Sequence, residues 1–185
     1  MGTLKVAMLV GSVRPASRNQ TLARAIAKLA AGRLDCQVLR IDDLPFFDQD
    51  VERTPPPQVL RLKAEVRAAD AILFITPEYN RSIPGLLKNA IDWGSRPYGD
   101  SAWNGKPCAV AGATSGKLGT MAAQQHLRNI LSCQDMVIMG QPEFYFQHTD
   151  ELIDAQGNAD PATAKFINTF LERFEKWIRR HAPKA

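Results

Sequence analysis

The chain has 185 residues, 45% of them hydrophobic, enough to bury one substantial core without a second domain. Its formal net charge of +4 comes from 23 basic and 19 acidic residues scattered along the chain, which argues against a nucleic-acid stripe and suits small anionic ligands. Three widely spaced cysteines, Cys36, Cys108 and Cys133, without a Cys-x-x-Cys pair, predict reduced thiols in a cytoplasmic protein and exclude a disulfide scaffold or a zinc site.

The first apolar run, Leu4 to Val10, is too short to cross a bilayer and ends at Gly11, so it reads as a buried strand. Behind it lies Gly11-Ser12-Val13-Arg14-Pro15-Ala16-Ser17-Arg18-Asn19-Gln20-Thr21, after which Leu22, Ala23, Ile26, Ala27, Leu29 and Ala30 recur at helical spacing. The loop therefore sits over a helix N-terminus, whose free N–H groups and dipole attract an anion. Ser12, Ser17, Asn19 and Thr21 add neutral donors, and Arg14 a bidentate charged one. No Gly-Lys-Ser/Thr follows for a triphosphate loop, and Gly11 has no partner glycines for a dinucleotide fingerprint. A mononucleotide phosphate fits better; the plainer alternative is a polar turn capped by Ser17 or Asn19.

Cys36–Ile41 predicts an edge-side strand, and Asp42-Asp43 behind it reads as a solvated turn. The prolines 55–57 start a helix carrying Val59, Leu60, Leu62, Val66 and Ala69. Ala71–Thr76 is continuously apolar, as a central parallel strand requires when both faces are covered. Pro77-Glu78-Tyr79-Asn80-Arg81-Ser82-Ile83-Pro84-Gly85 is then a second strand-tip loop, its backbone fixed by two prolines. A helix over Leu86–Trp93, a strand over Pro107–Ala113 and a third polar loop, Thr114 to Thr120, follow. A helix from Ala122 to Leu131, a strand over Met136–Met139 and an amphipathic helix from Pro161 to Arg180 complete a single domain spanning residues 1–185.

Five strands alternating with helices predict an α/β fold in which a parallel sheet is covered on both faces. In the order 2-1-3-4-5, ligands sit beyond the carboxyl ends of strands one and three, where the first two loops lie, and the third follows strand four. All three loops then face one ligand. Trp93, Tyr98 and Trp103 are candidates for an acceptor pocket or subunit contact, with core packing as the plainer reading. His126, His148 and His181 are isolated and form no metal-ligand spacing, so no metal is expected.

These motifs resemble the NADPH-dependent FMN reductases of flavodoxin-like fold, a family that includes bacterial quinone and chromate reductases. The resemblance covers nearly the whole chain and rests on residues 11–19, on 77–85 with Leu87-Lys88-Asn89-Ala90-Ile91-Asp92-Trp93, and on Ser115-Gly116-Lys117-Leu118-Gly119. It implies a three-layer α/β/α flavodoxin-like sandwich with a five-stranded parallel sheet. It places FMN phosphate on Ser12, Arg14, Ser17, Asn19, Gln20 and Thr21, and the isoalloxazine against Pro77, Glu78, Tyr79 and Asn80, with Ser115 and Gly116 near the ring's far edge. Members often carry an aromatic or small residue where Arg81 stands, and a second glycine where Thr120 stands. Arg81 then becomes a candidate for the substrate pocket or for the 2′-phosphate of NADPH.

The implied reaction is ping-pong hydride transfer from NADPH or NADH through FMN to quinones, or to free flavin, azo compounds or chromate, with no residue needed as catalytic acid or base. The resemblance also implies a homodimer or homotetramer, for which His126, Leu127, Arg128 and Leu131 are candidate interface residues. The alternative is an FMN-binding electron carrier serving a protein partner; such carriers usually have acidic surfaces, and this chain is basic.

Overall fold

A computed structural model of the chain describes residues 2–182. Strands β1 (Leu4–Val10), β2 (Leu34–Val38), β3 (Ala71–Ile75), β4 (Pro107–Thr114) and β5 (Val137–Ile138) pair in parallel in the order β2-β1-β3-β4-β5. Helices α1 (Arg18–Ala30), α2 (Pro57–Ala68), α3 (Gly85–Gly94), α4 (Met121–Cys133) and α5 (Pro161–His181) alternate with them. The expected flavodoxin-like sandwich and strand order are what the chain adopts.

The two-residue period of the strands sorts the core into its two halves. Val6, Met8 and Val10 of β1, Leu73 and Ile75 of β3, and Ala109, Ala111 and Ala113 of β4 pack toward α1 and α5. Ala7, Leu9, Ile72, Phe74, Cys108 and Val110 point the other way, toward α2, α3 and α4. Helix α5 buries Ile167, Phe170, Leu171, Phe174 and Ile178 along one stripe, and Asp160 caps it by accepting from the N–H groups of Ala162 and Thr163. No helix among the described residues is long and apolar enough to cross a membrane.

Three sequence expectations need correction. The second strand lies at Leu34–Val38 rather than Cys36–Ile41, because Leu34 to Val38 pair in register with Leu4 to Met8. A sixth strand, β6 (Phe144–Gln147), pairs in parallel with Ala111–Thr114 of β4, beyond the two-residue β5 that pairs with Pro107–Cys108. The fifth sheet position is thus filled by two segments in succession, and the expected four-residue strand at Met136–Met139 is shorter. On α4, Leu127 and Leu131 are fully buried against the sheet and are core rather than interface residues.

Candidate functional site

Loops 11–17, 76–84 and 115–120 leave β1, β3 and β4 at the same edge of the sheet. The first two lie against each other. The Gly11 N–H donates to the carbonyl of Ile75 (2.9 Å), and a Cβ on Gly11 would stand 3.1 Å from Pro77 Cδ and 3.2 Å from Pro84 Cγ. Glycine at this position is what permits that approach.

Between the loops lies a cleft of about 170 Å³ lined by Ser12, Arg14, Ala16, Ser17, Arg18, Asn19, Pro77, Glu78, Tyr79, Ala113 and Thr114. Its floor is the first turn of α1. Ser17 caps that helix by accepting from the Gln20 N–H (3.0 Å), which leaves the N–H groups of Arg18 and Asn19 without intrahelical acceptors. There is no acidic residue in that turn. A buried serine, a capping serine, two free N–H groups and two guanidinium groups form a donor set suited to a phosphate.

The sequence-predicted residues divide by task. Ser12, Arg14, Ser17, Asn19, Pro77, Glu78 and Tyr79 all line the cleft. Asn19, however, spends its amide on the sheet: its Nδ2 donates to the Ala113 carbonyl and its Oδ1 accepts from the Ala113 N–H, both at 2.9 Å and buried. What Asn19 offers the cleft is its backbone N–H. The Gln20 side chain donates to the Ser12 carbonyl (2.8 Å) and lines an adjoining cleft with Val10, Val13, Arg40 and Ile41, and the buried Thr21 hydroxyl accepts from Arg24 (2.9 Å). These three side chains shape the loop rather than present donors to its open side. Arg18 and Thr114 line the cleft without having been singled out. Thr114 ends an apolar strand at a polar loop, and that position was the available signal.

The second loop is a two-residue hairpin. Tyr79 and Ser82 exchange backbone hydrogen bonds of 3.0 Å, and Asn80 (φ 52°) and Arg81 (φ 66°) both adopt left-handed backbone, as a type I′ turn requires. Glu78 faces the start of α4, where Oε2 accepts from the Ala123 N–H (3.2 Å), and Oε1 lies 3.6 Å from the Arg81 guanidinium. Its carboxylate ties the loop to α4, while its backbone borders the cleft. In the third loop, Ser115 and Gly116 are exposed just beyond Thr114; the Ser115 carbonyl accepts from Gln147 (3.1 Å), and the Gly116 N–H donates to Thr114 Oγ1 (3.3 Å). Thr120, at the place of the family's second glycine, adopts φ 67°, the left-handed backbone that accounts for a glycine there.

Of the three aromatic candidates, Trp93 and Trp103 are buried in the core, and their indole N–H groups donate to the carbonyls of Pro45 and Ile91. Tyr98 alone is exposed, with the Arg96 guanidinium 3.9 Å from its ring centroid. Burial pushes the Cys36 thiol up to about 12 and raises Cys108 further, so neither is a ready thiolate.

His148 is buried beside the end of β4, its backbone N–H donating to the Thr114 carbonyl. Burial chiefly, then the charge of Arg18, lowers its pKa below the ordinary 6.5, while Asp150 opposes the shift. The unfolded chain therefore binds the extra proton first. Stability is full above about pH 6.5 and declines as the pH falls from there toward the lower folded value. Denaturant titrations between pH 7 and pH 5 are expected to show this decline in the native protein and a flatter profile in His148→Leu.

A doubly wound parallel sheet with an anion cradle at its first strand tip defines a mononucleotide-binding protein of flavodoxin-like architecture. The family model for NADPH-dependent FMN reductase matches residues 4–151. The chain belongs to that family. It is 44% identical to a 2-hydroxy-1,4-benzoquinone reductase of Burkholderia sp over 177 residues, 95% of this chain and 97% of that one. It is 37% identical to a quinone reductase of Escherichia coli (strain K12) over 182 residues, 96% of each. The structure of the flavoenzyme FerB, an NAD(P)H:(acceptor) oxidoreductase from Paracoccus denitrificans, superposes with a TM-score of 0.94 at 46% identity, covering 97% of this chain and 100% of that one.

Proposed function

We propose that this chain is an FMN-containing oxidoreductase that takes reducing equivalents from NADPH or NADH and passes them to quinones or similar small acceptors. The observation that carries this reading is one cleft lined by the first two strand-tip loops and the end of β4, floored by a helix start that Ser17 caps and that holds no acidic residue. The donor set fits FMN: Ser12, Arg14, Ser17 and Arg18 with the N–H groups of Arg18 and Asn19 would hold the phosphate. Pro77, Tyr79, Asn80 and the backbone of Glu78 would flank the ring, with Ser115 and Gly116 at its far edge.

When bound, FMN supplies the hydride chemistry. The protein's own task is to bind, orient and shield. Pro77 and the hydrogen-bonded hairpin keep the second loop rigid, and the Glu78 carboxylate pins it to α4. Tyr79, at 52% exposure, leaves the cleft open to a flat acceptor.

Anaerobic addition of NADPH to the FMN-loaded protein is expected to bleach the flavin absorption, and a quinone is expected to restore it. A protein that takes up FMN without bleaching would be a carrier, and one that refuses FMN would overturn the reading. Arg14→Ala is expected to weaken FMN binding by about tenfold, the effect of losing one charge-assisted hydrogen bond of about 1.5 kcal/mol, as read by fluorescence titration.

The exposed Phe46, Leu118 and Met121 support a homodimer or homotetramer, to be tested by light scattering. The free thiols of Cys36, Cys108 and Cys133 support a cytoplasmic location.

A further inference from the structure

We infer that Arg81, Ser82 and His126 form a phosphate-recognising cluster for the dinucleotide reductant, set on the rim of the FMN cleft. The inference rests on the reductase reading above and adds the residues that select the reductant.

Arg81 occupies a left-handed position that costs an L-residue other than glycine about 1–2 kcal/mol. The hairpin's two 3.0 Å backbone hydrogen bonds hold it there. At the tip of that hairpin its side chain is 77% exposed. Its ion pair with Glu78, at 3.6 Å, is beyond hydrogen-bond length, and the second Glu78 oxygen is occupied by the Ala123 N–H. The fork of guanidinium donors therefore remains free for an incoming anion.

The next residue supplies the second part. Ser82 Oγ lies 3.1 Å from Nδ1 of His126, an exposed residue on α4. Both tautomers of the ring leave one donor unspent. If the serine hydroxyl donates to Nδ1, then Nε2–H is free; if Nδ1–H donates to the serine, the hydroxyl proton is free. A planar guanidinium and a neutral donor on successive residues offer what a phosphate takes, a bidentate contact from the arginine and a single one from its neighbour. A neutral quinone offers nothing for it to bind, whereas NADH carries a diphosphate and NADPH a 2′-phosphate as well.

Steady-state kinetics on the FMN-loaded enzyme decide the matter. Arg81→Gly suits the left-handed backbone, so the fold and FMN content should be kept while the guanidinium is lost. Its kcat/KM for the reductant is expected to fall about tenfold through KM, with the quinone KM unchanged; Arg81→Lys should recover part of the loss, and His126→Ala should lose about threefold. A loss confined to NADPH assigns the cluster to the 2′-phosphate, and an equal loss with NADH assigns it to the diphosphate. Reductant KM values within about twofold of the parent for both nucleotides in Arg81→Gly, with bleaching intact, would overturn the proposal and leave the reductase reading standing. Failure of the parent enzyme to bleach with either nucleotide would instead overturn that reading and the cluster with it.

Discussion

Replacing Gly119 with alanine is expected to destabilise the protein by about 3 kcal/mol or more and to abolish FMN retention at ambient temperature. Gly119 adopts φ +56°, in the left-handed region where an alanine pays about 1 kcal/mol. More costly is the space: a Cβ there would stand 2.4 Å from the carbonyl carbon of Tyr145 and 2.5 Å from the Phe146 nitrogen. Both are backbone atoms of β6, and β6 is held to β4 through the register from Ala111–Phe144 to Thr114–Gln147. No flexible side-chain end can yield, so the third loop must lift or β6 must leave the sheet. Overpacking of this kind costs about 1–3 kcal/mol even where the neighbours can move. Urea unfolding should show the loss as a lower midpoint, and flavin fluorescence should show free FMN. A stability within about 0.5 kcal/mol of the parent, the usual range of a surface change, would mean that the loop does not press on β6.

Asn19→Ala is expected to cost about 3 kcal/mol, although Asn19 lies in a loop-to-helix junction where such changes are often mild. Its amide makes two buried 2.9 Å hydrogen bonds with both backbone groups of Ala113. Truncation leaves a buried N–H and a buried carbonyl unpartnered, each worth about 1–3 kcal/mol. It also frees the start of α1 from the tip of β4, so the phosphate cradle loses its registration with the second and third loops. FMN binding should therefore weaken together with stability. Asn19→Asp provides the control: it can accept from the Ala113 N–H and cannot, when ionised, donate to the carbonyl, so it should rescue at most half of the loss in a denaturant titration.

Much of this molecule could be read along the chain. Continuous apolar runs at Val6–Val10, Ala71–Ile75 and Pro107–Ala113 mark strands covered on both faces, and the three polar loops behind them are legible because Gly, Pro, Ser and Asn interrupt the apolar pattern abruptly. Helix periodicity located α1 and α5 to within about a residue or two of their ends, since a long amphipathic stripe is a strong local signal. Once those elements are ordered in a doubly wound sheet, the meeting of the loops follows from the alternation of strand and helix, because parallel strands place every such loop on one edge.

The tertiary structure decided matters that depend on partners far away in the chain. Asn19 and Ser17 look alike as helix-capping residues, yet Asn19 turns inward because Ala113, distant in sequence, presents a matching N–H and carbonyl. Leu127 and Leu131 share a helix with the exposed His126, and only packing on β4 and its neighbours shows which side faces the sheet. The aromatic segment at Phe144–Gln147 becomes a strand because β4 has an unpaired stretch beyond β5 for it to occupy. The left-handed backbone of Arg81 appears only with the hairpin that closes between Tyr79 and Ser82. Local propensity and periodicity describe a residue's neighbours within a turn or two; which hydrogen-bonding groups, gaps and faces meet it across the fold is set by the packing of the whole chain.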